Sequence, residues 1–274
     1  MNPEIQHSLI TKFRKTIYAK VLQAIDEYHL IEANDKICVC ISGGKDSFLL
    51  ALALLEVKTH GMIPFDLVFV SMNPGYKDEV VASIKNNALT LGLDLKVVPS
   101  NIFNYVKTLD DNPCYMCARM RRGNLYKIAQ DLGCNKIALG HHLNDVIETF
   151  LLGILYSNEI TFMRPKLISK NFANMELIRP LFKVKEEDII RWQNYHNLQF
   201  IHCSCPLSDG NIEGKRSEVK EIIKQLKKTN SEVEDNLFRS CHNLNLGTII
   251  QARKENEIIS FNEIFQKEAD ERKN

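Results

Sequence analysis

Apolar positions along this chain come in two rhythms. Ile5, Leu9, Ile10, Phe13, Ile17, Val21, Leu22 and Ile25 recur every three or four residues, which predicts an amphipathic helix over residues 3–30. Short β-prone runs follow at Lys36–Ile41, Phe65–Ser71, Asp94–Val98 and Lys136–Gly140. Between them the spacing turns helical over Asp46–Thr59, Lys77–Leu91, Arg119–Leu132 and His142–Tyr156, with Gly92 and Gly133 as stops. Asn101–Val106 reads as a short helix or loop. Such alternation predicts an α/β fold, a doubly wound, mostly parallel sheet. Ligands of such sheets bind beyond the carboxyl ends of the strands. Ser42, Ser71 and Gly140 fall at three such ends and should face one crevice.

Further on, Lys166–Ile178 suggests a hairpin and Lys185–Asn197 a helix. Phe200-Ile201 leads into Cys203 as the close of a fifth strand region. Lys215–Lys228 and Val233–Leu244 read as helices. The charged tail Gln251–Asn274 reads as a peripheral helix or a partly disordered segment. The expected organisation is an N-terminal helical extension (1–30), a nucleotide-binding domain (31–205), and a C-terminal helical region with its tail (206–274).

The densest chemistry lies at Ser42-Gly43-Gly44-Lys45-Asp46-Ser47, between the first strand and the first core helix. Two glycines permit a tight bend and close approach to a ligand. A helix start offers unpaired N–H groups and a partial positive charge, and Lys45 adds a full one. The matching ligand is a phosphate chain. A Walker loop requires G-x-x-x-x-G-K-[ST], and here Gly44-Lys45 is followed by Asp46. The residues instead match S-G-G-x-D-S, the signature of PP-loop ATP pyrophosphatases.

A second constellation ends the fourth strand: Gly140-His141-His142, then Asp145 in an opening helical turn. Asp145 is placed to hold Mg²⁺ against phosphates, and either histidine to contact the α-phosphate. Lys45, Asp46 and Asp145 are the candidate catalytic groups. Candidate ATP contacts are Ser42, Gly43, Gly44, Lys45, Asp46, Ser47, Ser71, Gly140, His141 and Asp145. A third constellation is sulfur: Cys114-x-x-Cys117 on one side of a turn, with Cys203 and Cys205 far downstream. Spacing alone allows a structural zinc, redox or persulfide-carrying thiolates, or an iron–sulfur cluster with one open iron. Cys38, Cys40, Cys134 and Cys241 sit among apolar neighbours and read as core.

Composition narrows the setting. The chain of 274 residues is 45% hydrophobic and 25% charged, as in globular proteins, and no apolar run is long enough to span a membrane. Without a signal peptide, a reducing cytoplasm is expected, so the eight cysteines call for roles other than disulfides. A net charge of +1 gives no global pull toward nucleic acid. Any such surface must be local, at Arg119, Arg121 and Arg122 or along the helix carrying Lys215, Arg216, Lys220, Lys224, Lys227 and Lys228.

Taken together, Ser42 to Ser47, Cys114-x-x-Cys117 with Arg119-x-Arg121-Arg122-Gly123-x-Leu125-Tyr126, Gly140-His141-His142-x-x-Asp145, Arg179-Pro180-Leu181 and Phe200-Ile201-x-Cys203 resemble the tRNA 2-thiocytidine synthetase branch of the TtcA/TtuA family of PP-loop enzymes. The resemblance runs from about Lys36 to Cys203. It implies a tRNA sulfurtransferase, commonly a homodimer. ATP and Mg²⁺ would adenylate the C2 oxygen of an anticodon-loop cytidine, and sulfur from sulfide or a cysteine desulfurase would replace it. It also implies a [4Fe-4S] cluster on Cys114, Cys117 and Cys203. Here Cys205 follows Cys203 by two residues where a spacing of three is common in the family, so Cys205 is the alternative third ligand. Two other expectations stand beside this one: a cluster-free ligase similar to tRNA lysidine synthetase, and a non-enzymatic ATP sensor or RNA-binding module.

Overall fold

A computed structural model describes residues 3–61, 63–106, 108, 113–201, 211–254 and 257–271. The chain opens with α1 (Pro3–Ile10), a π-helical turn (Arg14–Tyr18) and α2 (Ala19–Glu27). The expected single helix over 3–30 is therefore broken at Thr11–Phe13, though Leu9, Phe13, Ile17 and Val21 are all buried in the main core. The α/β body follows: β1 (Lys36–Cys40), α3 (Lys45–His60), β2 (Asp66–Asn73), α4 (Asp78–Thr90), β3 (Leu95–Pro99), α5 (Ile102–Val106), α6 (Pro113–Asp131), β4 (Lys136–Ala138), α7 (Leu143–Tyr156), β5 (Lys166–Ile168), β6 (Glu176–Ile178) and α8 (Glu186–Tyr195). Helices α9 (Asn211–Thr229) and α10 (Val233–Ser240) come next, then β7 (Gln251–Lys254), β8 (Glu257–Ser260) and α11 (Phe261–Glu271).

Six strands form one sheet in the order β3-β2-β1-β4-β6-β5, parallel throughout except for the antiparallel edge strand β5. The central strand β1 is buried on both faces, which explains its unbroken run Ile37-Cys38-Val39-Cys40. Helix α3 is apolar almost all round because it lies between sheet, α1 and α8; Phe48 to Leu54 are all buried. Cys38, Cys40 and Cys134 are buried among Val70, Tyr126 and Leu177, and Cys241 is half-buried, as core cysteines should be.

Three further expectations are corrected. Helix α6 begins at Pro113 rather than Arg119, so Cys114 and Cys117 lie in its opening turns, not in a free turn. Proline at the first helical position, which lacks an N–H the helix would leave unpaired anyway, is what sets this start. Phe200-Ile201 is not a strand; the fifth strand in space is β6, formed by the hairpin at Lys166–Ile178. The tail is neither one helix nor shapeless: β7 and β8 pair as a two-stranded antiparallel sheet before α11. No described helix is long and apolar enough to cross a membrane.

Candidate active site

Side chains of the two motif strand ends meet in a cavity of about 360 Å³ above β1 and β4. Ser42, Asp46 and Ser47 line one side, Gly140, His141 and Asp145 another, with Met72, Arg121, Leu125 and Arg216 completing it. Serines shape the phosphate turn itself. Ser47 Oγ donates to the Gly44 carbonyl at 2.8 Å and accepts from the Ser42 N–H at 3.2 Å. Gly43 has φ of +96°, which a side chain rarely adopts. Gly44 starts α3 with no side-chain cap, leaving its opening N–H groups for a ligand.

Gly140 serves the loop directly. A Cβ there would lie 3.0 Å from the Asp46 carbonyl carbon and 3.1 Å from both the Asp46 oxygen and the Ser47 nitrogen. Its missing side chain lets the turn seat against β4, a packing role in addition to the ligand approach expected from sequence. Ser71 is buried in β2, and the cavity wall beside it is Met72.

Histidines 141 and 142 divide their work. His142 is buried and caps α7: its Nδ1 accepts from the Asp145 N–H at 3.4 Å, and Asp145 Oδ2 accepts from the His142 N–H at 3.0 Å. Only His141 lines the cavity. Its Nδ1 accepts from Arg179 Nε at 3.3 Å. Burial, then the Arg179 charge, push its pKa down to about 4, so the ring is neutral at pH 7.

Lys45 does not stand free beside the turn. Its ammonium lies 2.9 Å from Glu186 Oε1 and 3.2 Å from Asp46 Oδ1, at the lip of a neighbouring cavity of about 640 Å³ along α8. Burial opposes its charge, but the two carboxylates outweigh burial and raise its pKa. Glu186 shows the reciprocal effect: burial raises it, and Lys45 more than reverses this, to about 2. Asp46 Oδ1 is buried with the Lys45 ammonium as its ion-pair neighbour, while the hydrogen bond from Lys45 falls on Oδ2 at 3.3 Å.

Arg216 enters from α9. It reaches Asp145 Oδ1 at 3.3 Å and Glu148 Oε2 at 2.8 Å, while Val219 and Ile223 anchor its helix on Leu143 and Ile147. The basic helix proposed as a nucleic-acid patch is largely spoken for internally. Lys220 reaches Glu148 and Glu186, Lys224 meets Glu221, and Lys227 bridges Glu187 and Glu234. Lys215 lies over the Tyr156 ring at 5.1 Å.

Cys117 is buried beside Met72 and Phe103, and one turn further along α6 Arg121 lines the cavity. The Cys114 side chain, and Cys203 and Cys205 altogether, lie outside the described part of the chain. The described chain reaches Ile201, whose N–H donates to the Gly43 carbonyl at 3.1 Å, two residues before Cys203 in sequence. Among the described residues, no group of three His, Cys, Asp or Glu is arranged to hold a metal ion.

Glu186 and Glu148 belong to none of the sequence motifs, and Arg216 enters the sequence only as one of the basic residues of a candidate nucleic-acid face. Glu186 carried one signal, an acidic run Glu186-Glu187-Asp188 opening a helix, but nothing in sequence pairs it with Lys45 across 141 positions.

A phosphate turn at the carboxyl end of β1, carrying the Asp46 carboxylate and facing the Asp145 carboxylate across a cavity, defines an ATP-cleaving nucleotide-binding α/β domain. Comparison with known proteins agrees and goes further. Residues 13–208 match the PP-loop domain family. A tRNA-cytidine(32) 2-sulfurtransferase of Verminephrobacter eiseniae is 35% identical over 248 residues, covering 88% of this chain and 77% of that relative. One of Aeromonas salmonicida is 39% identical over 220 residues, covering 77% and 70%. In solved structures, the U34-tRNA thiolase of Methanococcus maripaludis, which carries a [4Fe-4S] cluster, superposes with a TM-score of 0.67 at 24% identity, over 84% of this chain and 77% of that one. The chain belongs to the PP-loop family, within the branch of the tRNA 2-thiocytidine synthetases.

Proposed function

We propose that this chain is an ATP-dependent tRNA sulfurtransferase that replaces the C2 oxygen of cytidine 32 with sulfur. One observation carries the reading: a single cavity joins the phosphate turn, the Asp46–Asp145 carboxylates and the helix bearing the cysteine pair. The relatives named above act at that base. Residues 31–205 would form the working domain.

The turn from Ser42 to Ser47 cradles the phosphates of ATP, with Ser71, Gly140 and His141 at the margins. Asp46 and Asp145 would hold Mg²⁺, which supplies charge neutralisation for the phosphates. The fit lies in the donor set: the Asp46 and Asp145 carboxylates line the same cavity as the phosphate turn, and oxygen ligands of this kind suit Mg²⁺. The cytidine C2 oxygen attacks the α-phosphorus. A P–O bond forms, the bond to the β-phosphate oxygen breaks, and pyrophosphate leaves. Sulfide then adds at C2, the C2–O bond breaks, and AMP departs with the base oxygen. His141, with Nδ1 occupied, keeps its proton on Nε2 and acts as a donor to phosphate rather than as a base.

Cys114, Cys117 and Cys203 are the proposed ligands of a [4Fe-4S] cluster, with Cys205 the alternative to Cys203. Their thiolate chemistry suits iron, and Cys117 stands one turn from a cavity-lining residue. When bound, the cluster supplies an iron able to hold the incoming sulfur. Sulfide or a cysteine desulfurase is the donor, the working form is a homodimer, and the compartment is the cytoplasm.

The test is anaerobic purification with iron, sulfide and zinc analysis, then incubation with tRNA transcript, Mg·ATP and sulfide. The reading expects about four irons and four sulfides per chain and one AMP per thiocytidine. Cys117→Ala and Cys203→Ala should lose the iron, and Cys205→Ala should keep it. Zinc in place of iron, or full turnover by Cys117→Ala, would move the chain to the cluster-free ligases.

A further inference from the structure

Four arginines gather on the flank of the cavity where Arg121 and His141 line it: Arg179 donates to His141, and Arg122 and Arg164 stand close to Arg179. Arg121 and Arg122 come from α6, Arg164 precedes β5, and Arg179 follows β6. Arg179 is only 6% exposed. Its guanidinium makes two polar contacts, one to neutral His141 and one to the backbone carbonyl of Arg164. Neither carries a negative charge. Among the described residues, no carboxylate lies within ion-pair distance of any of the four arginines, whereas Lys45, Arg216 and Lys220 each touch two. Arg122 and Arg164 stand near enough to repel the Arg179 charge, and Asp145, the acid that does act on it, already holds Arg216.

A charge this deeply buried is normally paired. Gathering further guanidiniums around it makes the region worse as a self-contained structure and better as a seat for an anion. Guanidinium forks suit phosphate oxygens. ATP already has a cradle across the cavity, with acids to share its magnesium. The arginine side has no acid for a metal, so it fits an anion that arrives without one. Arg122 and Arg164 are exposed and extend the positive surface outward from the cavity mouth.

We propose that Arg122, Arg164 and Arg179, with Arg121 at the cavity wall, seat a phosphodiester of the RNA strand next to the nucleotide that enters the cavity. This rests on the tRNA reading above. It assigns the RNA contact to α6 and the β5–β6 flank rather than to α9.

The experiment measures binding of an unmodified tRNA transcript against salt concentration, and of Mg·AMPCPP separately, for the full chain. Arg122→Ala and Arg164→Ala alter exposed side chains and leave the fold intact. Each should weaken tRNA binding several-fold and make the log–log salt slope shallower by about 0.7 to 1, the loss of one phosphate contact. Each should leave nucleotide affinity within about twofold, since the exposed groups lie outside the phosphate cradle. Arg179→Lys, which keeps the charge but not the fork, should weaken tRNA binding with little change in slope. Unchanged tRNA binding in Arg122→Ala and Arg164→Ala, with wild-type binding and thiolation intact, overturns this inference and spares the function. Loss of nucleotide affinity instead would reassign the arginines to ATP phosphate. A wild-type chain that neither binds nor thiolates tRNA defeats both readings.

Discussion

The two walls of the cavity are built on opposite electrostatic plans. Around the phosphate turn and Asp145, the described lysines and Arg216 are matched: Lys45 with Asp46 and Glu186, Arg216 with Asp145 and Glu148, Lys220 with Glu148 and Glu186. On the arginine wall, Arg179 is buried against a neutral ring and a carbonyl, with other arginines nearby. A matched wall keeps its shape without ligand and suits a phosphate that brings its own cation. An unmatched wall holds favourable energy in reserve for an anion. Charge density alone would not separate them, because α9 is as basic as the arginine cluster and yet largely neutralised.

The largest expected effect tests the matched wall. Asp145→Asn keeps an acceptor for the His142 N–H and removes the charge. Pyrophosphate release should fall about 10²–10³-fold, as when a transition-state electrostatic contact is lost. The salt slope of tRNA binding should stay as in the wild type. Near-normal pyrophosphate release would remove Asp145 from the machinery.

Next come two titrations with the same sign. His141 has a folded pKa of about 4 against an unfolded value near 6.5, so between these the unfolded chain binds more protons. Its contribution to stability is complete above about pH 6.5 and lost as pH falls toward 4, up to about 3 kcal/mol. Glu186, depressed to about 2, contributes fully above about pH 4.5 and loses that contribution below it. Urea midpoints against pH should flatten between pH 6.5 and 4 in His141→Gln, whereas Glu186→Gln should flatten the curve only below about pH 4.5. A His141→Gln curve parallel to wild type in the upper window would mean that His141 titrates normally.

Gly140→Ala should cost about 1–3 kcal/mol, because backbone atoms of Asp46 and Ser47 occupy the space a methyl needs. Denaturant midpoints check this, and a neutral result would show that the turn does not seat on β4. The smallest effect belongs to α9. Lys224→Ala with Lys228→Ala should leave stability within about 0.5 kcal/mol and the tRNA salt slope unchanged. A slope that drops by about 1 or more would return the RNA contact to that helix.

Much of this arrangement was legible before any coordinates. The alternation of β-prone and helical runs fixed the order of elements, and Ser42 and Gly140 mark the strand ends that converge on the cavity. Local signals did this work: glycine at a positive φ, serines that stitch a turn, a helix whose opening turn carries Asp145. What escaped is what depends on distant partners. Lys45 looked like a free charge because Glu186 is far away in sequence. The lysines and Arg216 of α9 looked like a nucleic-acid face because Glu148, Glu186 and Glu234 neutralise them only after folding. The opening of α6 carried a readable mark, proline at the first helical position, which the weak apolar periodicity before Arg119 obscured. Arg179 appeared as part of a motif, but its burial without a counter-charge could not be read from its neighbours in sequence.

The central claim is that the base oxygen itself is adenylated before sulfur replaces it. The direct measurement is to supply tRNA carrying ¹⁸O at C2 of cytidine 32, with Mg·ATP and sulfide, and to weigh the AMP released. The account predicts one ¹⁸O in AMP for every thiocytidine formed and none in pyrophosphate. Thiocytidine formed with unlabelled AMP would contradict it.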